Sequence, residues 1–109
     1  MGVFMDSDTT LVLPKPAYKV LRRLTGESRP DVALNLALKS LVSLKIEAAR
    51  ITIREFEEKY KMDFGEFQDK WQAGEITDTH SYPVEQDYWA WEAAITDLSE
   101  LEELADWMI

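Results

Sequence analysis

Apolar positions along this chain recur mostly three and four residues apart, so helices dominate the elements it predicts. Only Thr9-Thr-Leu-Val-Leu13 alternates as a short strand would, and it is rich in β-favouring residues. Pro14 and Pro16 end that strand, because proline cannot donate to a ladder, and Pro16 suits the first turn of a helix. The helix so predicted spans 17–25, with Val20, Leu21 and Leu24 on its apolar side and Gly26 as its stop. Ser28 then offers a cap, Pro30 a first turn and Asp31 a favourable charge for a second helix. That helix runs from Arg29 or Pro30 to about Tyr60. Leu34, Leu38, Leu41, Ala48 and Ile51 form one stripe on it; Ile46, Ala49, Ile53, Phe56 and Tyr60 form another. A helix apolar on two sides is buried against more than one neighbour, and in so short a chain the second neighbour is expected to be another copy. A break near Leu44–Ile46 into two helices is the alternative.

Further on, Asp63 is placed to cap a short helix marked by Phe64, Phe67 and Trp71 and ended by Gly74. Residues 75–83 are polar and turn-like, and predict an exposed loop. A final helix is expected over 85–108, burying Trp91, Ala94, Ile95, Leu98, Leu101, Ala105 and Met108. Asp87, Glu92, Asp97, Glu100, Glu103 and Asp106 lie mostly off that stripe. The expected fold is therefore mainly α, with a short N-terminal strand, a long helix and an acidic C-terminal helical segment. Its segments are a loose tail over 1–8, a dimerisation segment over 9–54 and an acidic, aromatic-rich segment over 55–109.

Composition sharpens this picture. The chain has 109 residues, 46% hydrophobic, which suits a folded domain. It has no cysteine, so a disulfide framework and a thiolate metal site are excluded, and a reducing cytoplasm is the expected location. No apolar run approaches the roughly 18 residues of a membrane span, and the start lacks the pattern of a secretory signal. The net charge of −9 hides a strong asymmetry. Residues 1–54 hold nine Lys/Arg against five Asp/Glu, a net of +4; the remaining three basic and sixteen acidic side chains give 55–109 a net of −13. Such sorting points to two different partners, with a solvated acidic surface as the plainer alternative.

The basic set is Lys15, Lys19, Arg22 and Arg23, spaced to lie near one side of the first helix. Phosphate contact is the functional reading, since each neutralised phosphate releases counterions; a solvated helix face is the alternative. The order of elements over 9–43 adds to this. Thr-Thr-Leu-Val-Leu-Pro, then Ala17-Tyr-Lys-Val-Leu-Arg-Arg-Leu-Thr-Gly26, then Ser28 and an apolar run to Val42 resembles the ribbon-helix-helix fold of prokaryotic repressors and antitoxins. The resemblance implies a homodimer whose paired strands enter the major groove and whose second helix meets a phosphate at its N-terminus. It would place Thr10 and Val12, or Thr9 and Leu11, on the ribbon, and Ser28 and Arg29 at the phosphate. The strand itself carries no Lys, Arg, Asn or Gln, the usual base readers.

A second resemblance covers the rest. Phe56-Glu-Glu-Lys-Tyr-Lys-Met-Asp-Phe-Gly-Glu-Phe-Gln-Asp-Lys-Trp71, Gly74-Glu75 and Asp87-Tyr-Trp-Ala-Trp-Glu92 are similar to small prokaryotic antitoxins of toxin–antitoxin pairs. The resemblance implies a toxin protein as partner, often a small nuclease; operator DNA is the further partner expected of the basic front half. An acidic, aromatic-rich segment suits a basic nucleic-acid site, with charge setting the on-rate and Trp and Tyr the anchors. Trp71 and Trp91 lie on apolar stripes and are expected in the core. Tyr88, Trp89 and Trp91 cannot all face one way, so a large aromatic is expected at the surface. The candidate partner contacts are Tyr82, Tyr88, Trp89 and Glu92.

Catalytic chemistry finds no footing in the sequence. His80 is the single histidine, in a loop among Thr, Asp and Ser, and no Glu-x-x-His or His-x-x-x-His spacing occurs. The four glycines are scattered, so no phosphate-cradling loop is formed. The expectation is a non-enzymatic interaction protein with no cofactor and no metal. The rival expectation is a structural helical homodimer without a DNA role.

Overall fold

The computed structural model describes residues 12–77 and 81–108. These form four helices, α1 (Lys15–Thr25), α2 (Pro30–Tyr60), α3 (Phe64–Gln72) and α4 (Tyr82–Trp107). The predicted strand is not among them. Thr9, Thr10 and Leu11 lie outside the described residues, and Val12 and Leu13 are irregular. Proline chemistry explains where α1 begins. Pro14 is the N-cap of α1, its carbonyl accepts the Tyr18 N–H at 3.0 Å, and Pro16 falls in the first turn. The helix thus begins at Lys15, two residues before the expected Ala17.

α2 is continuous, without a break at Leu44–Ile46, as befits a run with no Gly and no Pro after its first residue, Pro30. At about 1.5 Å per residue its 31 residues span about 45 Å. It ends at Lys61, which adopts a left-handed φ of 60° while its N–H donates to the Glu57 carbonyl at 2.8 Å. Asp63 then caps α3 as its sequence position predicts, its side chain accepting the Glu66 N–H at 2.8 Å. α4 starts three residues before the expected Glu85. Pro83 fits the first turn, and the Ser81 carbonyl accepts the Glu85 N–H at 3.0 Å.

The chain falls into two compact units. One contains α1, the first half of α2 as far as Leu44, and α4 from Glu103 onward; the other spans Lys45–Glu102. These units differ from the segments marked out by charge, because packing and charge follow different residues.

The Lys45–Glu102 unit holds an aromatic core. Ile53, Phe67, Trp91 and Ala94 are buried, and Phe56, Tyr60, Phe64, Trp71 and Tyr88 pack against them. Trp91 is fully buried and stacks on Phe56 at 5.5 Å and on Tyr60 at 5.9 Å, with Phe67 tilted against it at 5.1 Å. Such ring pairs contribute about 0.5–1.5 kcal/mol each beyond area burial. One cost accompanies them: the Trp91 Nε1–H has no hydrogen-bond partner among the described residues. A buried orphan donor costs about 1–3 kcal/mol, which the ring contacts must outweigh.

The other unit is thinly cored. Ala33 is its one fully buried residue among those described, and no residue of α1 is buried.

Candidate interaction surfaces

Lys15, Lys19, Arg22 and Arg23 are all exposed on α1. Helical spacing sets them on the side away from Ala17 and Leu21, with Val20 and Leu24 forming the next row round the helix from Lys19 and Arg23. None of the four cations enters an ion pair among the described residues; the pairs that form are Arg29–Asp31, Arg50–Glu102, Arg54–Glu47, Lys59–Asp87 and Lys70–Glu66. Both Val20 and Leu24 are exposed, Leu24 by 76%, and they line a shallow groove with Lys19, Arg22 and Arg23. α1 is therefore amphipathic: Tyr18, Leu21 and Thr25 are half-buried, while Val20 and Leu24 stay open to solvent.

The turn between α1 and α2 is tied by its own side chains. Gly26 takes φ +72°, and its N–H donates to the Arg22 carbonyl at 2.9 Å. The Thr25 hydroxyl donates to the Leu21 carbonyl at 2.7 Å and accepts the Glu27 N–H at 3.2 Å. The Tyr18 hydroxyl donates to the Ser28 carbonyl at 2.6 Å. Arg29 gives its N–H to Glu27 Oε1 at 3.1 Å, and its guanidinium faces Asp31 at 3.6 Å. Ser28 is exposed, and the side chain that serves the helix start is Glu27, a carboxylate where the sequence suggests a serine cap. A negative group at this end is favoured by the helix dipole, and here the chain supplies its own. Thr10 and His80 lie outside the described residues.

On α4 the aromatic residues divide by face. Tyr82 and Trp89 are 68% and 57% exposed, and Glu92, three residues on from Trp89, is exposed as well. Tyr82 and Trp89 are seven residues apart, two turns along one side of the helix, opposite Trp91. The Tyr82 hydroxyl accepts from Gln86 Nε2 at 2.7 Å, which orders the ring without covering it. Tyr88 turns the other way. It is half-buried, packs on Trp71 at 4.7 Å and Phe64 at 5.6 Å, and its hydroxyl accepts from Gln68 Nε2 at 3.0 Å. Of the four candidate partner contacts, three therefore share an open surface and Tyr88 belongs to the aromatic cluster.

Asp87 departs from the expectation that the α4 acids stay off the packed side. It accepts from the Tyr60 hydroxyl at 2.6 Å and from Lys59 Nζ at 2.5 Å. Burial pushes its carboxyl up, yet these two donors and the Lys59 charge outweigh that and hold it below its usual range. Tyr60 is held well above its usual value by burial first, then by its hydrogen bond to Asp87 and by that residue's charge. The i, i+4 register of Asp87 with Trp91 is the sequence signal that marks it as inward-facing.

A further surface escaped the sequence reading. The end of α4 exposes Leu104 and Trp107, the latter by 76%, beside exposed Glu103 and Asp106. No basic residue stands in its last turn. Acidic residues there oppose the helix dipole. The 103/104/107 spacing, three and four residues apart, is the signal that groups them.

Among the described residues no cluster of three or more His, Asp or Glu is placed to hold a metal ion, and no helix is long and apolar enough to cross a membrane. Comparison with protein-family models, with curated proteins and with solved structures gives no match. Fold and surfaces together thus define a class and no more: a mainly α chain with an aromatic-cored unit, an exposed basic surface on α1 and exposed aromatic, acidic surfaces on α4.

Proposed function

We propose that this chain is an antitoxin-like, non-enzymatic binding protein whose α4 surface covers a basic site on a partner toxin, such as a nuclease. The observation that carries the reading is the exposure of Trp89 and Tyr82 on one side of α4, beside Glu92, while their neighbours Tyr88 and Trp91 pack into the aromatic core. Large exposed aromatics are poor solvated surface and good interface anchors. Glu92 beside them, in a segment of net charge −13, steers a cationic partner and raises its on-rate. Co-expression with the protein encoded by the adjacent gene, followed by size-exclusion chromatography, tests the reading. Co-elution supports it, and separate elution at micromolar concentrations removes it.

The ribbon-helix-helix resemblance adds operator DNA as a second ligand of the same protein. Lys15, Lys19, Arg22 and Arg23, exposed and free of ion pairs among the described residues, are its support, together with Arg29 and Thr10 by resemblance. The Glu27 carboxylate at the start of α2 weighs against a phosphate at Ser28. A mobility-shift assay with promoter DNA at low salt decides, because that is where phosphate contacts are strongest.

The second reading is a helical homodimer with no DNA role. It is favoured by α1, which is amphipathic yet buries none of its residues. A domain this size rarely leaves such a helix unpartnered. Molar mass in solution tests it directly.

A further inference from the structure

We infer that two copies of this chain clasp each other reciprocally, α1 of each seated on the last turns of α4 of the other. The inference rests on the homodimer reading and names its surfaces.

Two exposed surfaces of the same unit are complementary in both charge and shape of pattern. On α1, Val20 and Leu24 form an apolar row beside the cationic row of Lys19 and Arg23. On α4, Leu104 and Trp107 form an apolar row beside Glu103, with Asp106 adjacent. Residues three and four apart share a helix face, so each surface is one continuous stripe. Lys19, Arg23, Glu103 and Asp106 all lack an ion pair among the described residues. Neither stripe can pair with its own copy without setting like charges together. Each can pair with the other, and a two-fold axis then forms both contacts at once and closes the assembly.

The end of α4 gives an independent reason. Glu103 and Asp106 stand where the helix dipole is already negative, with no cation in the last turn. Lys19 and Arg23 of a second copy would remove that opposition while Val20 and Leu24 cover Trp107 and Leu104. Lys15 and Arg22, on the other flank of α1, stay free in the dimer. A second copy is favoured over an unrelated partner because both halves of the interface are carried on one chain.

The test is the molar mass of the full chain by light scattering, with the dimer dissociation constant taken from sedimentation. Arg23→Glu and Glu103→Arg should each weaken the dimer about tenfold or more, since each change strikes both contacts of the two-fold assembly. The double variant, Arg23→Glu with Glu103→Arg, should restore the wild-type constant. Restoration cannot come from a folding defect, because both sites are exposed and the double variant carries both changes. Raised salt should weaken the wild-type dimer. A chain that is monomeric at all concentrations overturns the inference and the homodimer reading together. A dimer indifferent to both single variants overturns the inference alone and leaves that reading standing. Loss in both single variants without restoration in the double also overturns it.

Discussion

The Tyr60 hydroxyl donates to Asp87 Oδ2 at 2.6 Å and so ties the end of α2 to the start of α4 at the edge of the aromatic core. Lys59 reaches the same oxygen, which makes Asp87 the charged hub of an otherwise apolar cluster. The acidic half of this chain is thus not uniformly outward: Asp87 braces the core, while Glu92 beside Trp89 is exposed.

The pH dependence follows from that hub. Asp87 is depressed in the folded state, so its contribution is full above the unfolded carboxyl value, near 3.9, and is lost as pH falls through its folded value. Tyr60 is raised, so its contribution is full below the unfolded phenol value, near 10, and is lost as pH climbs above it. Urea unfolding across pH should show both limbs. Asp87→Asn should flatten the acid limb and Tyr60→Phe the alkaline one.

Neighbouring tryptophans should separate stability from binding. Trp91→Ala removes the centre of the core and should cost about 3–5 kcal/mol in urea unfolding. Trp91→Phe should cost much less, since it keeps most ring contacts and deletes the orphaned N–H. Trp89→Ala, at an exposed position, should stay within about 0.5 kcal/mol of wild type.

Two backbone positions offer small, opposite changes. Asp63→Ala removes the α3 cap and should destabilise by about 1 kcal/mol. Lys61→Gly relieves a left-handed conformation that lysine bears poorly, and should stabilise by about 1 kcal/mol. Thermal unfolding of the two variants reads both signs.

The helices were legible because their apolar residues recur at helical spacing and their ends carry Pro16, Gly26, Pro30 and Asp63. The strand expected over 9–13 lies mostly outside the described residues; its two described positions, Val12 and Leu13, are irregular, and Pro14 serves as the N-cap of a helix. Which of Tyr88, Trp89 and Trp91 reaches solvent was legible only as a constraint that they diverge. Their phases follow from where α4 meets Phe56, Phe64 and Phe67, which are distant in sequence. The Glu27 cap was hidden by Ser28 beside it: both residue types can serve a helix start, and only the turn geometry selects one. Charge sorting was plain from the sequence, but not that Asp87 is spent inside while Glu103 and Asp106 stand free.

Under the proposed function, the open side of α4 is an anchor for a cationic protein. Calorimetric titration of the adjacent-gene product into wild-type chain and into Trp89→Ala measures it most directly. A wild-type complex weakened about 30-fold or more by Trp89→Ala, with unfolding of the free chain unchanged, is the predicted result. Equal affinity for both chains would contradict it.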